Sequence, residues 1–227
     1  HYSREEVISY GKQVAWNQLW RNFCVSDTFE PGSPSKILTV AAGLEEGILK
    51  GNEYFDCGGY LHVGDWDIKC TAYRRGGHGS LSLTESIMQS CNVAMMRIGA
   101  MMGRDIFTKY QTIFGMGQKT GVDLPGEADA AGLVYSADKM GPTELATNAF
   151  GQNYNCTMIQ MAAALCSVIN GGSYYEPHVV RQILNEQGSV VERKDPVLVR
   201  ETVSQSTSDF LKEAMFQTVE NGTGGAA

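Results

Sequence analysis

A serine with a lysine three residues on carries the first chemistry in this chain. Ser33 and Lys36 stand in Phe29-Glu30-Pro31-Gly32-Ser33-Pro34-Ser35-Lys36, directly before the apolar run Ile37-Leu38-Thr39-Val40-Ala41-Ala42. The Pro-Gly turn delivers Ser33 to the first turn of what reads as a buried helix, and the spacing puts Lys36 on the same face. A serine hydroxyl is a poor nucleophile at neutral pH until a base takes its proton. A lysine can be that base once burial lowers its pKa enough to leave it neutral. The helix N-terminus adds N–H groups and a positive dipole end where an oxyanion forms. The plain alternative for Ser33 is a helix cap followed by an exposed lysine.

The same spacing recurs at Ser9/Lys12, inside a helical stretch, and at Ser136/Lys139, which runs into Met140-Gly141-Pro142, read as a helix stop. Only Ser33 opens a helix. A second constellation is Ser90-Cys91-Asn92, the one S-x-N of the chain. A serine and an amide two apart cannot share a regular helical face, so a common site requires the backbone to bend there. Their chemistry suits a relay: a hydroxyl passes a proton between the lysine and a leaving amine, and an amide fixes the lysine and a substrate carbonyl.

The elements that must hold these groups follow from periodicity and punctuation. An amphipathic helix is expected over residues 4–22, with Val7, Ile8, Val14, Ala15, Leu19 and Trp20 inward. The Ser33 helix ends near Glu46 at Gly47. Residues 51–79 read as loops with a short hairpin, and Ser82 with Glu85 marks a capping box that opens a long helix. Further helices are expected at about 105–114, 157–169 and 204–220, a hairpin turning at Glu186-Gln187-Gly188, and loop over 128–156. In the loop Gly115-Met116-Gly117-Gln118-Lys119-Thr120-Gly121, Gln118 interrupts the Gly-Lys that a phosphate-binding loop needs, and no apolar strand precedes it.

Composition bounds the rest. The 227 residues are 43% hydrophobic and 19% charged, with net charge −7 and pI about 5.1, an ordinary globular balance that argues against a nucleic-acid surface. The first residues are charged rather than the apolar run of a signal peptide, and the apolar window Met158 to Ile169 is too short to span a bilayer. The six cysteines show no C-x-x-C pair. Cys156 and Cys166 read as core residues. Cys57 and Cys70 flank a hairpin-like segment and are candidates for a disulfide, while Cys57, His62, Cys70 and His78 are a less regular candidate zinc set.

Taken together, Trp20-Arg21-Asn22 through Val25-Ser26-Asp27-Thr28-Phe29-Glu30-Pro31-Gly32-Ser33-x-x-Lys36, His78-Gly79 before Ser90-Cys91-Asn92, and Phe114-Gly115-Met116-Gly117 with Asp123-Leu124-Pro125-Gly126-Glu127 resemble a class B penicillin-binding protein of the division and sporulation type. The resemblance covers nearly the whole chain and implies one transpeptidase domain over residues 1–227. Its fold would be α+β, the arrangement shared with serine β-lactamases: an antiparallel sheet with helices plus an all-helical lobe, helix-rich in this chain. It implies Ser33 as nucleophile, Lys36 as base, Ser90 as relay and Asn92 as the residue positioning Lys36 and the substrate amide, with no cofactor and no metal.

The implied partners are peptidoglycan stem peptides ending in D-Ala-D-Ala, β-lactam antibiotics and division or sporulation cell-wall proteins. The implied location is the extracytoplasmic face of the bacterial membrane. A carboxypeptidase or β-lactamase on the same fold, and a catalytically silent wall-binding domain, are the alternatives. The family's third motif, Lys-Thr/Ser-Gly on a strand, is expected after a segment like Glu220-Asn221-Gly222-Thr223-Gly224-Gly225-Ala226-Ala227, so the chain reads as an excised piece whose activity alone is impaired. Lys119-Thr120-Gly121 belongs to a different loop of that family.

Overall fold

An apolar run with no polar face has to be enclosed, and that requirement sets the centre of this molecule. The computed structural model describes residues 3–225; His1, Tyr2, Ala226 and Ala227, which belong to the end segments read above, lie outside them. The chain opens with α1 (Arg4–Trp20), α2 (Phe23–Ser26) and the short strand β1 (Thr28–Phe29). It then enters α3 (Lys36–Glu45), where every residue from Lys36 to Gly43 is buried.

Next come β2 (Tyr54–Cys57), β3 (Tyr60–Val63), β4 (Trp66–Lys69) and β5 (Gly79–Ser82), followed by α4 (Leu83–Met88) and α5 (Asn92–Ile113). The remainder is α6 (Pro142–Asn148), β6 (Cys156–Thr157), α7 (Met158–Ile169), β7 (Ser173–Tyr175), β8 (Gln182–Leu184), β9 (Val190–Arg193), β10 (Leu198–Glu201) and α8 (Gln205–Asn221). The fold is α+β: α3 packs against α5, α7 and α8, and the strands form short antiparallel pairs, β1·β6, β2·β5, β3·β4, β7·β10 and β8·β9. One core runs from Ile37 to Ala214 through Leu83, Met95, Ile98, Phe114, Met140 and Leu211. No helix among the described residues is long and apolar enough to cross a membrane.

The caps explain most boundaries. Ser82 and Glu85 close the expected capping box at α4, and Thr157 and Gln160 close another at α7, each satisfying N–H groups that a helix start leaves free. Two expectations need correction. α1 is helical but buries nothing, because Val7, Ile8, Tyr10, Val14, Trp16, Leu19 and Trp20 are spread around it rather than gathered in one stripe. Pro142 does not stop a helix; it sits in the first turn of α6, where its missing N–H costs nothing, so part of the expected 128–156 loop is helical. The helices expected before 102 and after 105 are both present and meet within α5 at Gly103, whose φ of 72° breaks the helical path between them.

Ile98 is fully buried in α5 against α3. Ile98→Ala is expected to cost about 2–5 kcal/mol of folding free energy in denaturant titration; a loss near zero would contradict the core as described.

Candidate active site

Ser33 is held out at the end of a braced turn. Gly32 has φ 62° and donates its N–H to the Gly151 carbonyl at 2.8 Å. The Ser35 hydroxyl folds back onto the Gly32 carbonyl at 3.0 Å. Gly151 has φ 89°, and a Cβ there would collide with the Gly32 carbonyl and the Ser35 hydroxyl, so both its conformation and its contact demand glycine. Ser33–Ser35 form a tight 3₁₀ turn rather than the first turn of an α-helix, and α3 begins at Lys36. Ser33 is therefore exposed while Lys36 is only 2% exposed.

The partner elements meet this turn at the junction of α4 and α5. The Ser90 N–H donates to the Ile87 carbonyl and the Cys91 N–H to the Ser86 carbonyl, both at 2.9 Å, which closes α4 as a Schellman turn. Ser90 occupies the left-handed position of that turn, φ 50°, where glycine is usual. Cys91 then caps α5, its sulfur accepting from the Ala94 N–H. The bend that the S-x-N spacing required is this turn.

It brings the predicted residues together. Lys36 Nζ donates to the Ser90 carbonyl and to Ser90 Oγ, each at 2.7 Å, and Ser90 Oγ donates to Ser33 Oγ at 2.9 Å. Lys36 thus reaches Ser33 through Ser90. Asn92 is beside them at the start of α5, but its amide donates to the Lys69 carbonyl at 3.3 Å; the hold on Lys36 expected of it is made by the Ser90 backbone. Burial lowers the Lys36 pKa to about 8, partly offset by the nearby Cys70 and Cys91 sulfurs, which raise it. With Lys36 neutral, the chain of hydroxyls can run in reverse: Ser33 gives its proton to Ser90, and Ser90 gives one to Lys36.

Sequence reasoning passed over Ser35, Thr39 and Gly151. Thr39 Oγ1 donates to the Ala149 carbonyl at 2.8 Å, tying α3 to the loop that braces Ser33. Their only signal was the Asn- and Gly-rich stretch at 146–155. Lys119-Thr120-Gly121 is fixed elsewhere, Thr120 donating from N–H and hydroxyl to the Glu127 carboxylate at 2.6 and 2.7 Å. Asp123 of the same loop accepts from the Val179 and Val180 N–H groups at 2.8 and 3.1 Å, which holds its pKa below the usual range.

The cysteines depart from both expectations. All six are free, so Cys57 and Cys70 are not bridged. His62 is exposed and paired with Asp67 at 2.8 Å, outside any cysteine cluster. Cys57, Cys70 and His78 do come together, and the fourth member is Cys91.

Comparison with known proteins gives the family and the fold. The family model described as the penicillin binding protein transpeptidase domain matches residues 3–227. Stage V sporulation protein D of Bacillus subtilis is 37% identical over 207 residues, 90% of this chain and 31% of that protein, so the chain spans about a third of that curated relative's length. The D,D-transpeptidase domain of a peptidoglycan glycosyltransferase from Eggerthella lenta superposes with a TM-score of 0.84 at 22% identity, covering 96% of this chain and 56% of that one, a likeness of fold. Penicillin binding protein 3 of Mycobacterium tuberculosis, complexed with aztreonam, superposes with a TM-score of 0.76 at 27% identity over 89% of this chain and 44% of that one.

Two outcomes follow from the geometry. Because protonated Lys36 cannot accept a proton, the rate of Ser33 acylation is expected to climb with pH and level off above about 8, the lowered lysine pKa; a flat profile from pH about 6 to 9 would remove Lys36 as the base. Ser90→Gly relieves about 1 kcal/mol of left-handed strain but removes one of the two hydrogen bonds that hold buried Lys36, about 1.5–3 kcal/mol for a charged donor, so a net loss of stability of about 1 kcal/mol is expected. The same change is expected to slow acylation about 10²–10⁴-fold, checked by thermal unfolding and acylation kinetics side by side.

Proposed function

The chain belongs to the penicillin binding protein transpeptidase domain family, and from that premise we propose that it is the acyl-transfer unit of a peptidoglycan D,D-transpeptidase. Ser33 Oγ attacks the penultimate carbonyl of a stem peptide ending in D-Ala-D-Ala. Its proton passes to Ser90 Oγ, while a proton from Ser90 passes to Lys36 Nζ. The reverse transfer protonates the departing D-alanine amine, leaving an acyl ester on Ser33. An amine from a neighbouring strand then takes the acyl group, again delivering its proton through Ser90. Asn92, whose amide already faces the Lys69 carbonyl at the site's edge, orients the substrate amide.

The observation that carries this proposal is the unbroken path from Lys36 through Ser90 to Ser33. A buried lysine with a lowered pKa, one hydroxyl from an exposed serine, is what an acyl-serine mechanism needs. The continuous core from Ile37 to Ala214 supports treating that span as one unit. A β-lactam would acylate the same serine, since its strained amide offers the same carbonyl to Ser33. Similarity to a protein named for sporulation supports wall synthesis in division or sporulation, outside the cell membrane and alongside other wall-building proteins.

The test is a fluorescent penicillin with intact-mass readout, on this chain and on a form lengthened at its C-terminus to carry a Lys-Thr-Gly strand. One covalent adduct per chain is expected, absent in Ser33→Ala. An adduct that persists in Ser33→Ala, or none in either form, would sink the acyl-serine mechanism.

A further inference from the structure

Three cysteines and a histidine converge behind the serine relay. Cys57 ends β2, paired with Gly79 of β5; Cys70 follows β4; His78 precedes β5; and Cys91 caps α5. Their sulfurs and a ring nitrogen all lie within 4.8 Å of one another. The Cys70 sulfur is 3.9 Å from the Cys91 sulfur and 3.6 Å from His78 Nδ1. A tetrahedron with metal–sulfur bonds of about 2.3 Å and metal–nitrogen bonds of about 2.0–2.1 Å has edges of about 3.8 Å between sulfurs and about 3.6 Å from sulfur to nitrogen. The two measured edges are those of such a site. A disulfide needs sulfurs about 2.05 Å apart and joins only two of the four groups.

We propose that Cys57, Cys70, His78 and Cys91 form a closed structural site for one Zn²⁺ ion. The donor set suits that metal, because three thiolates and an imidazole fill a four-coordinate shell and leave no open position for substrate or water. Cys57, Cys70 and Cys91 are buried and His78 is half-buried, so an ion held there is shielded while its histidine stays reachable. On binding, the metal displaces the thiol protons to solvent.

The ion would bind together the β2·β5 pair, the end of the β3·β4 hairpin and the Ser90–Asn92 turn. Cys91 lies between Ser90 and Asn92, so the metal would fix the segment whose Ser90 carbonyl accepts from Lys36. Metal binding is read without the acyl-transfer reaction, so the two readings are tested separately.

The experiment uses the purified chain, kept reduced, with Zn²⁺ and Co²⁺ as probes. One equivalent of Zn²⁺ is expected to survive gel filtration, and Co²⁺ should give intense thiolate-to-metal charge transfer with tetrahedral d–d bands. His78→Ala, which alters the least buried ligand, should weaken Zn²⁺ binding by at least about tenfold, while His62→Ala leaves it unchanged. Sub-stoichiometric zinc in a folded, reduced protein would overturn the assignment. So would an octahedral Co²⁺ spectrum, unaltered affinity in His78→Ala, or a Cys70–Cys91 disulfide that persists in reductant in place of bound metal.

Discussion

The structure turns on a lysine ammonium that the core has to accommodate. Lys36 is 2% exposed on a helix whose other early residues are all apolar or Thr39, so its Nζ finds hydrogen bonds only where the fold supplies them. It finds two, both from Ser90. A buried cation is tolerable when partnered and costly when not. The same enclosure that makes it costly is what lowers its pKa toward neutrality. The α4–α5 junction therefore has to present a carbonyl and a hydroxyl to one point, and a left-handed residue is the means. Glycine would sit there without strain but would bring no hydroxyl. Serine in that position is a local conflict between backbone preference and chemistry, of the kind that gathers at functional sites.

Much of this was legible in the sequence because it rests on local rules. Pro31-Gly32 before an apolar run marked the serine turn, Ser82 and Glu85 marked the start of α4, and the two-residue spacing of Ser90 and Asn92 demanded a bend. What stayed hidden depends on partners distant in sequence. Ser90 as the bridge from Lys36 to Ser33 could not be read from S-x-x-K, whose spacing suggests a direct contact. Pro142 is ambiguous by itself, since proline both ends helices and opens them, and only the chain after it decides. In α1 the count of apolar residues suggested a buried face, whereas their angular spread does not make one.

The loops that frame the site are themselves held by buried polar contacts rather than by sheet. Asn148 accepts from the Gln111 amide at 3.1 Å and donates to the carbonyls of Gln152 and Asn153, which stiffens the loop carrying Gly151. Gly151 in turn fixes Gly32, and Gly32 fixes the angle at which Ser33 leaves the turn. At the other end, Thr223 donates from its N–H and hydroxyl to the Met88 carbonyl, so the segment after α8 closes onto the last residue of α4, two before Ser90. Both hydroxyls of the relay are thus set from behind by backbone contacts.

In Ser90-Cys91-Asn92 the outer residues face the site and the middle one points away from it. Ser90 and Asn92 are half-buried, reaching Lys36, Ser33 and the Lys69 carbonyl, while Cys91 is fully buried toward Cys57, Cys70 and His78. A turn this tight cannot move one of the three without moving the others, because Cys91 is at once the end of the α4 turn and the cap of α5. The identity of the middle residue is accordingly decided by what lies behind the site, not by the reaction in front of it. Anything that grips Cys91 also grips Ser90 in its left-handed conformation. That coupling places the stability of the cysteine–histidine cluster and the alignment of the proton path on the same few backbone dihedrals.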